Sequence, residues 1–232
     1  STSVGSADSS GRTNVAAGFS IITYVGSGGP DTIAHGLGAV PEMIIVKNVS
    51  ADGQEWLVYH HKNTAAPQTD YLRLDTTAAT ADNTFWNDTT PTTAVFSVGD
   101  SQPVNSSHGN TYIAYCWRAI EGYSEFEGYT GNNRVDGPFI YTGFSPSFVL
   151  IKNTGSTNGW MLFDDARGDR LKLSPDTTGV EQTLAYIDFL SNGFKLITNH
   201  SNVNGAHAYI YMAFAHSPFK YSNAKTPDGR LQ

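Results

Sequence analysis

The sequence has one cysteine, Cys116, in 232 residues. A single thiol excludes an intrachain disulfide framework and a multi-cysteine zinc site. It lies in the apolar run Tyr112-Ile113-Ala114-Tyr115-Cys116-Trp117. That setting predicts a buried, inert thiol, because a nucleophile needs exposure and a neighbouring base. Charge is scarce as well: Asp, Glu, Lys and Arg make up 15% of the chain, against roughly 25% in an ordinary soluble domain. Cations are the scarcer sign, 14 against 21 acids, for a net charge of -7. Sequence-independent binding to nucleic acid needs clustered cations, as does attraction to anionic membranes, so neither is expected.

Long hydrophobic runs are missing too. Met43–Val46 and Phe148–Ile151 have strand length, far below the roughly 20 residues of a spanning helix, so no membrane insertion is expected. There is no G-x-S-x-G elbow, no glycine-rich loop opening a helix, and no H-E-x-x-H or calcium-loop spacing. No cofactor is therefore expected. The chain opens Ser1-Thr2-Ser3 without an initiator Met or signal peptide, which reads as a fragment or a processed product.

What is present favours strands and turns. Aromatics reach 12% and glycines number 23, with Ser, Thr and Asn in the polar role that charges usually fill. This is the profile of an all-β, turn-rich extracellular or virion protein. The length suffices for one large β domain or two small ones.

The chain also repeats itself. Pro41-Glu42-Met43-Ile44-Ile45-Val46-Lys47-Asn48 returns as Pro146-Ser147-Phe148-Val149-Leu150-Ile151-Lys152-Asn153. Trp56-Leu57-Val58-Tyr59 returns as Trp160-Met161-Leu162-Phe163. Tyr24-Val25-Gly26 matches Tyr129-Thr130-Gly131, and Leu72-Arg73-Leu74 matches Leu171-Lys172-Leu173. Phe96-Ser97-Val98 matches Phe194-Lys195-Leu196, and Tyr112–Trp117 matches Tyr209–Phe214.

Six matches in one order, spaced by roughly 100 residues, exceed any solenoid period of about 20–50. The prediction is an antiparallel β-sandwich of two repeated units with a pseudo-twofold relation, as two domains or one. Residues 1–17 read as a linker or extended arm, 18–121 as the first unit, 122–219 as the second and 220–232 as a polar tail. Met43–Val46 is continuously apolar and predicts a central strand covered on both faces. Tyr71-Leu72-Arg73-Leu74-Asp75 alternates and predicts a half-exposed strand. Glu181–Ile187 is the nearest approach to a helical stripe and stays undecided. Trp56 and Trp160 are expected to be equivalent buried anchors.

Candidate sites follow from residue type. Asp82-Asn83-Thr84-Phe85-Trp86-Asn87-Asp88 places two aromatics in a polar segment of the first unit. Rings stack on sugar faces, and amides and carboxylates hold hydroxyls. Tyr71, Phe85, Trp86, Asn87 and Asp88 are therefore the candidate ligand contacts, unless Phe85 and Trp86 tuck into the core.

His60-His61 and Asp164-Asp165 occupy matching strand ends. They are weak metal candidates, since neighbours in a strand point to opposite faces. Asp70, Asp75, Asp164, Asp165 and Asp169 are candidate acids for glycoside hydrolysis, which needs two carboxylates roughly 5–9 Å apart. Arg167-Gly168-Asp169 is an RGD triplet that fits a turn. Asn48, Asn87, Asn105 and Asn199 head N-x-S/T triplets, which matter only in a eukaryotic secretory pathway.

Taken together, certain segments resemble a domain of tailed-phage virion proteins. They are Gly18–Tyr24, His35-Gly36-Leu37-Gly38-x-x-Pro41 and Ile44–Asn48, then Ala114–Trp117, Glu121–Ser124 and Ala213–Lys220. Such domains sit at or near the C-terminal end of tail-fibre and appendage proteins, many from marine and cyanobacterial phages. The resemblance covers about 18–222. It implies a non-enzymatic module on the virion surface, outside the cell. It would be a receptor-binding domain that attaches to a host surface polysaccharide or an outer-membrane receptor, beside other virion proteins. By analogy with phage fibres it implies a homotrimer. The alternatives are a structural head or tail decoration and, less favoured, a polysaccharide depolymerase. The matching positions are turn glycines, strand apolars and core aromatics, so the resemblance transfers no catalytic residue.

Overall fold

The computed structural model describes residues 4–106, 109–168 and 170–216. Nine strands precede residue 118: β1 (Ser9–Asn14), β2 (Phe19–Val25), β3 (Asp31–Ala34), β4 (Met43–Asn48), β5 (Trp56–His60), β6 (Asp70–Arg73), β7 (Ala81–Asp82), β8 (Val95–Val98) and β9 (Thr111–Trp117). Nine follow: β10 (Ser124–Thr130), β11 (Phe139–Tyr141), β12 (Pro146–Asn153), β13 (Met161–Asp164), β14 (Leu171–Leu173), β15 (Gln182–Thr183), β16 (Ile187–Leu190), β17 (Gly193–Leu196) and β18 (Ala208–Ala215).

The strands form two large sheets and two small ones. The large sheets run β1-β2-β9-β4-β5-β6-β7 and β10-β18-β12-β13-β14-β15. The small ones are β3-β8 and β11-β17-β16. The fold is an all-β antiparallel sandwich, and each named pairing is antiparallel. Beyond β1 and β16, the second half repeats the strand order of the first. The undecided stretch 181–187 holds the short β15 and the start of β16 rather than a helix.

Strand periodicity builds the layers. On β4, Ile44 and Val46 enter a core with Ile33 of β3 and Phe96 of β8. Met43 and Ile45, on the opposite face, enter a second core with Leu150, Ile210 and Met212 of the other large sheet. On β12, Val149 and Ile151 enter a third core with Ile140, Ile187 and Phe194. Four layers result, β3-β8, large sheet, large sheet, β11-β17-β16, with the two large sheets face to face. The apolar run of β4 follows from coverage on both faces. The strand at Tyr71 is covered on both faces too: Tyr71 enters the first core and Leu72 the middle one. The expected half-exposure is corrected there: Leu72 meets the opposing sheet, and Phe85 packs edge-on against Tyr71 on what would be the outer face.

The polar framework of the halves also recurs bond for bond. Tyr24 stacks on Tyr112 at 5.1 Å and donates to the Val104 carbonyl at 2.6 Å. Tyr129 stacks on Tyr209 at 4.9 Å and donates to the Val203 carbonyl at 2.6 Å. Asn48 Nδ2 reaches the Tyr112 hydroxyl at 3.2 Å, and Asn153 Nδ2 reaches that of Tyr209 at 3.3 Å. Asn105 Oδ1 accepts from the Ser27 N–H, and Asn204 Oδ1 from the Asn132 N–H. These buried amides satisfy loop backbone that would otherwise be unpaired.

Direct bonds join the halves across the middle core. The Trp160 indole donates to the Arg73 carbonyl at 2.7 Å. Lys152 Nζ donates to the Thr77 carbonyl at 3.0 Å, and the Thr80 N–H to the Thr154 carbonyl at 3.0 Å. Trp160 is 1% exposed, as expected. Trp56 is only partly buried, stacked on Tyr115 beneath Lys47, so the two tryptophans are not equivalent anchors.

Of the two readings of the amino-terminal segment, the structure has an extended arm rather than a linker. Residues 9–14 form β1, paired with β2 from Ser9↔Tyr24 to Asn14↔Phe19. An edge strand needs backbone pairing rather than apolar side chains, which is why its composition resembles a linker. The turn closes at Gly18, φ +63°, where a Cβ would sit 2.5 Å from the Arg118 carbonyl oxygen. The polar tail 220–232 lies outside the described residues.

Candidate functional site

The sequence candidates for sugar stacking are mostly in the core. Trp86 is 1% exposed, donates its indole N–H to the Asp70 carbonyl at 3.1 Å and meets Tyr59 edge-on at 5.9 Å. Phe85 and Tyr71 are buried edge-to-face at 4.6 Å. No ring face remains for a ligand, so Tyr71, Phe85 and Trp86 are corrected from contacts to packing. The polar neighbours arise because the short 3-10 turn Thr84–Trp86 turns both rings inward. Asn87 and Asp88 stay exposed at φ 50° and 46° as the turn residues that allow this.

The metal candidates do not converge. His60 is buried; its Nδ1 accepts from the Lys62 N–H at 3.2 Å and its Nε2 contacts the Tyr211 carbonyl at 3.2 Å. Burial, then His61 beside it, pushes its pKa down to about 3. His61 Nε2 contacts the Phe126 carbonyl at 2.5 Å. Asp164 is held by Arg167, whose Nε lies 2.7 Å away and whose hydrogen bonds keep the carboxyl below its usual range. Asp165 pairs with His216 at 2.5 Å. The histidines thus clasp the opposite sheet, while Asp164 ties down its own turn and Asp165 reaches His216 just past β18. Among the described residues, no three His, Cys, Asp or Glu gather into a metal-binding group.

The other candidates are likewise engaged. Asp70 accepts from the Thr64 hydroxyl at 2.5 Å, and Asp75 from the Trp56 N–H at 3.2 Å. Asp169, the last residue of the RGD triplet, lies outside the described residues, while Arg167 is engaged by Asp164 and Glu181. Cys116 is buried, and burial pushes its thiol up to about 12. Asn48 and Asn105 are buried framework residues, while Asn87 and Asn199 are exposed.

The exposed aromatics are elsewhere. On β11, Ile140 points into the core while Phe139 and Tyr141 face outward, 44% and 66% exposed. Register sets Tyr141, Gly193 and Leu190 in one row and Phe139, Lys195 and Asp188 in the next. Gly193 is buried and admits no side chain: a Cβ there would meet the Ile140 carbonyl oxygen at 2.0 Å and Phe139 Cε2 at 3.0 Å, so backbone and ring close over the glycine. Lys195 Nζ is engaged by Asp136 at 2.6 Å. Beside Tyr141 opens a cleft of about 350 Å³ lined by Ala119, Glu121, Glu125, Thr142 and Gly143.

The first half also has a cleft of about 350 Å³, which shares with this one the strand-end positions Ala34/Tyr141 and Gly36/Gly143 but is otherwise walled largely by β1, a strand with no counterpart in the second half. Its lining includes Val4, Ile22, Ala34, Gly36 and Ala94. Ile33 pairs with Phe96 as Ile140 pairs with Phe194. Thr32 and Ala34 therefore stand where Phe139 and Tyr141 stand. There Ser6 and Ala7 both donate to the Thr32 carbonyl, at 3.0 and 3.3 Å, and partly cover the strand. Comparing Thr32-Ile33-Ala34 with Phe139-Ile140-Tyr141 would have revealed the platform from the sequence. Local composition pointed instead to Trp86.

The site is thus an exposed aromatic platform and acidic cleft on the outer layer of a two-unit β-sandwich. The chain belongs to the family described as "Domain of unknown function (DUF7483)", whose model matches residues 1–218. No curated protein and no solved structure matches it.

Proposed function

We propose that this chain is a non-catalytic attachment module that holds surface glycans on the outer layer of its second unit. The observation carrying the reading is the outward pair Phe139 and Tyr141, flanking Gly193 beside a polar cleft. Pyranose rings offer an apolar C–H face to an aromatic ring, and their hydroxyls take hydrogen bonds from neighbouring polar groups. A surface aromatic costs solubility unless something binds it, and the first unit carries Thr32 and Ala34 instead.

The resemblance to tailed-phage appendage domains supports a virion setting, with host surface polysaccharide as partner and other virion proteins as neighbours. The same analogy favours a homotrimer. The test is binding of labelled chain to intact candidate host cells, with and without periodate oxidation of surface sugars. Periodate and Tyr141→Ala should each abolish binding. Binding that survives both overturns the proposal.

A further inference from the structure

The two units differ in how the edge of the small outer sheet is finished. In the first, the His35 N–H reaches the Ala94 carbonyl, so by alternation the Thr32 N–H and C=O point away from β8. The chain itself takes both. The Ser6 hydroxyl accepts from the Thr32 N–H at 2.8 Å, and the Ser6 N–H donates to the Thr32 carbonyl at 3.0 Å. In the second, the Thr142 N–H reaches the Asn192 carbonyl and the Leu196 N–H the Pro138 carbonyl, both at 3.1 Å. The main-chain groups of Phe139 and Tyr141 therefore point away from β17. Among the described residues nothing bonds them, and β11 is the end strand of its sheet.

An open, uncharged strand edge invites a second strand. Arg12 on β1, Asp82 on β7, Glu125 and Glu127 on β10 and Asp188 on β16 each put charge at a sheet margin. Phe139-Ile140-Tyr141 carries none.

We infer that two copies of this chain join along β11, antiparallel, about a twofold axis at Ile140. In that register Phe139 lies opposite the partner's Tyr141, and Tyr141 opposite the partner's Phe139. Both are hydrogen-bonded pairs, so the N–H and C=O of each residue find partners. Ile140 keeps its own bonds to β17. A one-residue slip would set the open groups against groups already bonded, which fixes the register. Pro138 before the strand and Gly143, at φ +80°, just beyond it keep the pairing short. A twofold contact of this kind closes on itself instead of growing.

The side chains agree with it. All the rings stand on one outer face, each Phe139 beside the partner's Tyr141, as stabilising cross-strand aromatic pairs do. Lys195 and Asp188 follow Phe139 away from the axis, and Lys195 is paired with Asp136. Across the junction each row thus sets ring against ring. At 44% and 66% exposed, the two rings offer roughly 200 Å² per chain, far under the roughly 1,200 Å² in all of a stable interface. The pair is therefore weak and forms where chains are crowded. It is made by main chain, and it stands or falls apart from glycan binding. A twofold joins chains in even numbers, so trimers meeting this way would form hexamers.

The test reads mass and amide exchange in the full chain from about 10 µM to about 1 mM, the range a weak pair spans. Sedimentation equilibrium should show the mass doubling as concentration rises. Exchange of the Phe139 and Tyr141 amides should slow by about tenfold over that range, while Ile140, bonded to β17, should not change. Phe139→Asp, at an exposed position, sets two like charges beside the axis and should abolish both effects. The exchange of the unaltered chain decides the matter even if that variant folds poorly. Slow exchange at Phe139 and Tyr141 that ignores concentration would mean that a segment of the same chain, such as 217–232, covers the edge, and it overturns the inference. A chain that stays monomeric or trimeric with fast exchange throughout overturns it too. So does association that Phe139→Asp leaves intact.

Discussion

Trp160 and Arg73 join the halves of the molecule through one hydrogen bond, from indole N–H to main-chain carbonyl at 2.7 Å. The ring is 1% exposed and packs among Leu72, Leu150 and Met212 of the middle core. Trp160→Ala removes this packing and leaves the Arg73 carbonyl unpaired. A loss of about 3–5 kcal/mol is expected. Trp56→Ala, at a half-buried position, should cost clearly less, by about 2 kcal/mol or more. Urea melts of both variants check this, and equal losses would contradict the unequal placement of the two rings.

Acid should weaken the same junction through His60. The folded protein holds this imidazole neutral, with its pKa depressed to about 3, while an unfolded chain protonates it near 6.5. Between those values the unfolded state binds more protons. The contribution is therefore complete above about pH 6.5 and falls with pH down to about 3, by at most about 1.4 kcal/mol per unit. Glu42 and Glu125, whose pKa values are raised mainly by burial, act in the opposite sense. The comparison must therefore be with His60→Gln, which should flatten the pH dependence of the melting temperature between 6.5 and 4. Identical slopes would rule out His60 as the group responsible.

Cys116 should be silent toward thiol reagents. It is fully buried and its thiol is pushed up to about 12, so little thiolate exists at neutral pH. Ellman's reagent should find no thiol in the native chain and one after denaturation. Rapid native labelling would contradict the buried setting.

Gly18→Ala should destabilise the sandwich by about 1–3 kcal/mol, by straining a left-handed residue. The new Cβ would also approach the Arg118 carbonyl oxygen to 2.5 Å. Because Gly18 joins β1 to β2, hydrogen exchange should rise first along Ser9–Asn14. Unchanged stability would mean that the turn can relax without loss.

Much of the fold is legible in the sequence. The unbroken apolar run Met43–Val46 and the matched Pro41 and Pro146 segments announce a covered strand in each half. Three features resist reading, each for a physical reason. Strand β1 is held by backbone pairing, so Ser9-Ser10-Gly11 carries no apolar signal. Trp86 sits among polar neighbours, but a 3-10 turn points its ring inward, and composition cannot reveal direction. Tyr141 is visible only when one half is aligned on the other, because its importance is a difference: alanine in one outer face, an exposed phenol in the other.

The four layers give the molecule a front and a back. Successive sheets lie about 10 Å apart, so three spacings place the outer layers roughly 30 Å from one another. Ser6 and Ala7 dock on β3 in one of them, and Phe139 and Tyr141 stand on the other. Whatever grips the β3 side therefore leaves the aromatic side pointing away, and many chains mounted alike would present a field of weak, identical contacts. Adhesion would then scale with the number engaged, each releasing readily and all together holding fast.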